Sequence, residues 1–138
     1  MMLSSSVVLR AVLLLLGGYH LGIGAVSVLS LRLTARVTAA LYGLSVAESA
    51  PLRYAVRMLG LYALALGVLL VLAAREPNAH RDVIAVVAGL QMARALCRLL
   101  FRRELAAAFQ LPMHRNALNA ALLVGEAALL VLCYPTAP

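Results

Sequence analysis

Five polar side chains lie within stretches of sequence that are otherwise apolar, and they are the residues best placed to do chemistry. They are His20, Arg57, Gln91, Arg94 and Glu126. A charge at the centre of a membrane-spanning helix costs about 2.5–3.5 kcal/mol on insertion scales, so such residues are usually paired or functional. Arg94 and Glu126 fall at similar depths of successive apolar stretches, which favours an ion pair between them. The other three could complete a polar cluster around that pair.

This candidate cluster has two interpretations. A structural ion pair could fix the order of the helices, with nearby arginines reaching lipid headgroups. Alternatively, a polar pocket could bind a quinone or a lipid headgroup, with Glu126 or His20 handling protons. Arg94 or Arg57 would then hold an anion. The structural interpretation needs Arg94 packed against Glu126, whereas the pocket needs both to face a cavity of a few hundred Å³.

The residues of this cluster belong to a chain that is too apolar for a water-soluble domain. Of its 138 residues, 64% are hydrophobic and 12% are charged, and the mean hydropathy is +0.99. Soluble domains are about half apolar and a quarter charged. Four spans of roughly 20 residues use up nearly the whole length. The sequence therefore predicts one all-α domain over 1–138, a polytopic membrane protein built as a four-transmembrane-helix bundle.

The predicted spans are separated by segments with turn signals and charges. The spans cover about 7–29, 52–74, 82–101 and 116–134. Between the first two, apolar residues recur at helical spacing while arginines occupy other faces, which predicts a short amphipathic interfacial helix. Gly43 should end this helix, and Ser49 with Pro51 is typical of a new helix start.

Arginines are divided unequally between the two sides of the predicted bundle. The first and third connections, with their flanking turns, hold Arg32, Arg36, Arg53, Arg57, Arg98, Arg102, Arg103 and Arg115, whereas the other side holds Arg10, Arg75 and Arg81. In a bacterial inner membrane, this asymmetry places both termini away from the cytoplasm. The net charge of +7 then predicts contact with anionic lipid, and we expect no nucleic-acid partner.

Glycines at helical spacing predict close packing of helices. Gly18 and Gly22 form a GxxxG pair, and Gly60 and Gly67 could also let a neighbouring helix approach closely. We expect no metal site, because the three histidines are far apart in this topology. The chain also lacks a Walker glycine loop, a G-x-S-x-G elbow and a CxxC pair. Hydrolase, nucleotidase and haem-attachment chemistry therefore have no support.

Three segments of small and apolar residues with scattered arginines stand out: LYGL at 41–44, RYAVRMLGLYALALG at 53–67 and RALCR at 94–98. Together they resemble the small bacterial four-helix membrane proteins of the DoxX-like type. The resemblance covers under half of the chain and implies a four-helix fold. It leaves activity open, because some relatives accompany quinone-linked oxidoreductases and others have no assigned role. It identifies no catalytic residue.

The sequence favours a small accessory or scaffold subunit that packs by helix contacts within a larger membrane complex or a homo-oligomer. Such a subunit needs no cofactor and catalyses no reaction. The alternative is an intramembrane enzyme or redox subunit that binds quinone or lipid through the polar cluster. A small transporter is disfavoured, because four spans rarely enclose a pathway without oligomerising.

Overall fold

A computed structural model of the protein describes residues 5–43 and 49–135. Within these ranges the chain forms helices and no strand. The helices are α1 (Ser5–Leu29), α2 (Leu31–Tyr42), α3 (Ala50–Arg75), α4 (Arg81–Leu100), α5 (Arg102–Phe109) and α6 (Met113–Leu132). Four of them, α1, α3, α4 and α6, are long and apolar enough to cross a membrane. These four lie where the sequence predicts spans.

The short helix α2 is bounded by residues whose chemistry suits helix ends. Ser30 separates it from α1, and the Ser30 hydroxyl accepts a hydrogen bond from the Leu33 backbone N–H at 3.3 Å. Gly43 follows its last turn with a φ of 71°, a left-handed conformation that glycine adopts at little cost. Ser49 caps the start of α3 in the same way, through the Leu52 N–H. Both ends of α2 and the start of α3 are therefore encoded locally.

Helices α1 and α3 pack in an antiparallel pair whose backbones touch at glycines. Gly24 faces Gly60, and Gly17 faces Gly67. A Cβ atom added to Gly24 would lie 2.8 Å from the Gly60 carbonyl oxygen, and one on Gly67 would lie 3.0 Å from the Gly17 oxygen. Each helix repeats its glycine after seven residues, or two helical turns, which keeps both glycines on one face. This is the most extensive helix contact in the structure.

The predicted GxxxG pair lies on a different face of α1. A Cβ atom on Gly18 or on Gly22 would meet nothing within 4 Å, and both residues are exposed. Gly18 and Gly22 therefore take no part in the contact with α3, which Gly17 and Gly24 make instead. Spacing identifies residues that share a face, but it does not say which face meets the neighbour.

Helices α4 and α6 form the second antiparallel pair. The two pairs meet through an apolar core near the turn at 76–80. Its buried members are Leu9, Leu13, Leu16, Leu70, Ala73, Ala74, Ile84, Val87, Ala88 and Leu130. The opposite half of the bundle, beside α2, has polar side chains and cavities between the pairs. The apolar core and the polar cleft thus lie in opposite halves of the bundle.

Most of the surface of the four long helices is apolar and exposed. No more than a third of the most hydrophobic window of any of them is buried inside the structure. Leu15, Leu29 and Leu132, for example, are 74%, 82% and 80% exposed. Soluble monomers rarely expose contiguous apolar surface on this scale. Four such helices fit a multi-pass membrane protein.

Helix α5 is a feature that the sequence does not predict. It occupies the third connection, whose charged residues suggest a polar loop. Its eight residues start with two arginines, and Leu105 and Phe109, one helical turn apart, are half-buried. A helix this short gains its stability from such contacts rather than from its own sequence. A composition-based prediction therefore misses it.

Candidate functional site

Four of the five predicted site residues meet in the cleft between the two helix pairs. His20 from α1, Gln91 and Arg94 from α4, and Glu126 from α6 all line one cavity of about 330 Å³. Arg57 is exposed on α3 and does not line this cavity. The predicted polar cluster therefore assembles from three helices, without the contribution expected from α3.

A hydrogen-bonded chain connects Arg94 to Glu126 through Gln91. Arg94 Nη1 donates to Gln91 Oε1 at 2.9 Å, and Gln91 Nε2 donates to Glu126 Oε2. Gln91 is only 2% exposed, so packing holds its amide in place. Within the described part of the chain, an amide thus links the two charges, where the sequence suggests a direct ion pair.

Side chains join α4 to α6 at two levels of the cleft. Nearer the arginine-rich end, Asn116 of α6 bonds both to the side chain and to the backbone of Arg98 on α4. Arg98 Nη1 donates to Asn116 Oδ1 at 3.1 Å, and Asn116 Nδ2 donates to the Arg98 carbonyl oxygen at 2.9 Å. Further along the same pair, Gln91 meets Glu126, and Gln91 lies one turn deeper on α4 than Arg94. The sequence prediction placed Arg94 and Glu126 at similar depths and did not give Gln91 the bridging role.

Two buried asparagines of α6 belong to the site and were not predicted from the sequence. Asn116 and Asn119 are 4% and 9% exposed. With Glu126 they recur at i, i+3 and i+10, so they share one helical face. On α4, Gln91 and Arg94 are likewise three residues apart and share a face. Comparing this polar face of α4 with that of α6 would have revealed both asparagines from sequence alone.

Asn119 brings an unused hydrogen-bond donor to the cavity. It is among the lining residues, and its Nδ2 is buried without a hydrogen-bond partner in the described structure. Leaving a buried donor unsatisfied costs about 1–3 kcal/mol. A group from outside the chain that accepted this hydrogen bond would remove that cost.

His20 presents an acceptor to the same cleft. Its Nδ1 lies 2.8 Å from the Leu16 carbonyl oxygen. Because a carbonyl only accepts, Nδ1 carries the hydrogen, and Nε2 of the neutral ring is then the acceptor. The Tyr19 ring packs against the imidazole edge-to-face, with 5.1 Å between centroids. These contacts fix the ring orientation, as a binding residue requires.

A second cavity of about 480 Å³ lies on the α3 side of the same residues. Both cavities are lined by Tyr19, His20, Arg94 and Arg98. Helix α2 borders both of them, because Thr34 and Thr38 line the second cavity and Leu41 lines the first. The cleft therefore continues from the α6 side to the α3 side, past the four residues that line both cavities.

Comparison with known proteins gives no family, since no protein-family model, curated protein or solved structure matches the chain. The site must be interpreted from its own chemistry. It combines guanidinium groups, a carboxyl group, an imidazole acceptor and an amide donor with leucine walls. Such a site can hold a polar head group and shield an attached hydrocarbon chain.

Replacing Asn119 by leucine tests whether its amide is unsatisfied. We expect Asn119→Leu to raise the free energy of unfolding by about 1 kcal/mol, because it removes a buried donor without a partner. Thermal unfolding of protein washed free of bound lipid, in one detergent, measures this. The matched control is Asn116→Leu, which breaks two bonds to Arg98 and should lower stability. Equal losses in both variants would contradict the assignment.

Proposed function

We propose that the protein is an integral membrane protein that binds the polar head of an amphipathic bilayer molecule between its two helix pairs. One observation carries the proposal: His20, Arg94 and Glu126 line a shared cavity of about 330 Å³, and Arg94 and Glu126 are joined through the Gln91 amide. A purely structural cluster would bring the charges into contact and leave the surrounding space filled. An apolar cavity with a few convergent polar groups is the usual form of a small-molecule site.

Entry from the side suits a ligand dissolved in the bilayer. Leu15 of α1 and Leu122 of α6 line the cavity, yet they are 74% and 57% exposed. The cavity therefore opens between α1 and α6, on a surface that lipid would cover. A molecule in the bilayer could bring its head group in while its chain stays against leucine side chains. No passage through water is needed.

The polar groups suit the head group of either a quinone or a lipid. Arg94 can donate hydrogen bonds to a carbonyl, carboxylate or phosphate oxygen. His20 Nε2 and the Glu126 carboxylate can accept hydrogen bonds from hydroxyl groups. The proposal assigns binding to these residues and no reaction step.

The proposal includes a placement in the bacterial inner membrane. The arginine-rich end of the bundle, with α2 and α5, would face the cytoplasm, and both termini would face away from it. There, α2 would lie at the bilayer surface, and its exposed Arg32 and Arg36 would contact anionic lipid. We also propose kinship with the DoxX-like proteins, on the strength of the segments 41–44, 53–67 and 94–98.

Filling the cavity should displace the ligand whatever its chemistry. Leu123 lines the cavity and is buried, whereas Val124 is exposed and is not among the lining residues. We expect native mass spectrometry of protein gently solubilised from its own membranes to show a stoichiometric amphipathic ligand. Leu123→Trp should lose this ligand, and the matched control Val124→Trp should keep it. A bare wild-type protein, or equal retention in both variants, would contradict the proposal.

A scaffold or accessory subunit is the second candidate, and the outward-facing Gly18 and Gly22 favour it. The open space beside both residues would let a helix of another subunit approach closely. The same mass spectra distinguish the two roles. A reproducible larger partner on a protein without a small ligand would support the scaffold.

A further inference from the structure

We infer that the ligand of the cleft carries a free hydroxyl group, which donates to His20 Nε2, beside an oxygen atom that accepts a hydrogen bond from Asn119 Nδ2. This inference rests on the proposed function and narrows it to one head-group chemistry. It depends on the tautomer of His20, on the unused amide donor of Asn119, and on the cavity that both residues line.

His20 can only accept a hydrogen bond from a molecule in the cavity. Its Nδ1 lies 2.8 Å from the Leu16 carbonyl oxygen, so the hydrogen of the neutral ring is on Nδ1 and Nε2 is the acceptor. The side chain is 6% exposed, and burial among apolar groups favours the uncharged ring. No residue within 5–43 or 49–135 donates a hydrogen bond to Nε2. A ligand group at this position must therefore bring its own hydrogen, as a hydroxyl does.

Asn119 requires the opposite kind of ligand atom. Its Nδ2 is buried and has no hydrogen-bond partner in the described ranges, and the residue lines the same cavity as His20. An amide N–H can only donate, so the matching ligand atom is an acceptor such as a carbonyl or ether oxygen. The two residues belong to different helices, α1 and α6. A head group that satisfies both must combine a donor with an acceptor.

Glu126 is the other side-chain acceptor on this wall of the cavity, and it already has a partner. Its Oε2 accepts a hydrogen bond from Gln91, and Arg94 donates to the other end of the same amide. The charges of Arg94 and Glu126 therefore balance each other across this link. Because His20 Nε2 has no such partner, we assign the ligand hydroxyl to His20.

Two kinds of bilayer molecule have this head-group chemistry. In an acylglycerol, a free hydroxyl lies next to ester carbonyl groups, and in a hydroquinone each ring hydroxyl both donates and accepts. An oxidised quinone, or a lipid whose hydroxyl is capped, only accepts and leaves Nε2 unpaired. A site built to bond a ligand hydroxyl rejects an analogue without one, because its own buried polar group then loses its partner.

A matched pair of lipids tests this inference. Phosphatidylcholine nanodiscs contain equal amounts of 1,2-dioleoylglycerol and its 3-O-methyl ether, and native mass spectrometry counts the molecules that stay bound after release. We expect dioleoylglycerol to be retained at least about tenfold over the ether. His20→Phe keeps an aromatic ring beside Tyr19 but has no nitrogen, and should abolish the preference. His114→Phe makes the same change at an exposed position outside both cavities and should preserve it.

Asn119→Leu tests the acceptor half of the head group separately. The ester carbonyl groups are common to both lipids, so this variant should retain each of them about tenfold less well, with the preference for the hydroxyl unchanged. It removes a donor that has no partner, so it should fold. A preference that survives in His20→Phe overturns the inference, and so does undiminished retention in Asn119→Leu, even if the other variant fails to fold.

Competition between dioleoylglycerol and a decyl-substituted hydroquinone, kept reduced, identifies the source of the hydroxyl. Stronger retention of dioleoylglycerol indicates an acylglycerol, and stronger retention of the hydroquinone indicates a reduced quinone. Either result supports the inference when the methyl ether is retained less well than both. Retention of the ether equal to that of both hydroxyl compounds overturns it.

Failure of the inference differs from failure of the proposed function. If dioleoylglycerol and its methyl ether are retained equally and Leu123→Trp loses both, the cleft binds amphipathic molecules without regard to the hydroxyl. The inference is then wrong, while the proposed function stands. If the wild-type protein retains none of the compounds above the level of Leu123→Trp, both are wrong.

Discussion

Gly24→Ala is expected to lower the free energy of unfolding by about 3 kcal/mol, the upper end of the usual cost of overpacking. The added Cβ atom would lie 2.8 Å from the Gly60 carbonyl oxygen and 2.8 Å from the Leu64 backbone nitrogen. Both atoms belong to the backbone of α3, so no side-chain rotation can make room. The two helices must separate, and the other glycine contacts of the pair then weaken with them.

The matched control lies two residues earlier on the same helix. A Cβ atom at Gly22 meets nothing within 4 Å, so Gly22→Ala should leave stability unchanged or raise it by up to about 1 kcal/mol through helix propensity. Thermal unfolding of both variants in one detergent, followed by circular dichroism, makes the comparison. Equal melting temperatures would show that α1 does not meet α3 through this face.

The helices themselves could largely be predicted from the sequence. Span lengths follow from runs of apolar residues, and Ser30, Gly43 and Ser49 mark helix ends by local chemistry that needs no tertiary contact. The face that each helix buries could not be predicted in the same way. Gly18 and Gly22 satisfy a known packing motif, yet Gly17 and Gly24 make the contact, because all four lie on an apolar helix with no polar side to orient it.

The candidate site, like the helices, could be predicted from the sequence only in part. The meeting of His20, Gln91, Arg94 and Glu126 from three spans is a fair expectation, since each is polar within an apolar stretch. Arg57 satisfies the same criterion, yet it is exposed. It lies less than two turns from the start of α3, where a long side chain can reach the interface. The one-turn offset that places Gln91 between Arg94 and Glu126 depends on tertiary register, which depth estimates from sequence do not resolve.

Gln91→Leu is expected to lower the free energy of unfolding by about 3 kcal/mol, at the lower end of the cost of breaking a buried ionic network. Leucine has a similar volume and suits a position that is 2% exposed. It would, however, leave Arg94 without its acceptor and Glu126 without its donor, inside an apolar cleft. Thermal unfolding in detergent, with lipid removed from all samples, measures the loss.

A triple variant separates stability from binding. Changing Gln91, Arg94 and Glu126 together to leucine removes the whole network and leaves no charge unpaired, and such replacements are often neutral or stabilising. We expect the triple variant to regain the stability of the wild type, and to lose the amphipathic ligand that native mass spectrometry detects on the wild-type protein. A triple variant as unstable as Gln91→Leu would mean that the network holds α4 against α6. The structural interpretation of the cluster would then explain these residues without any ligand.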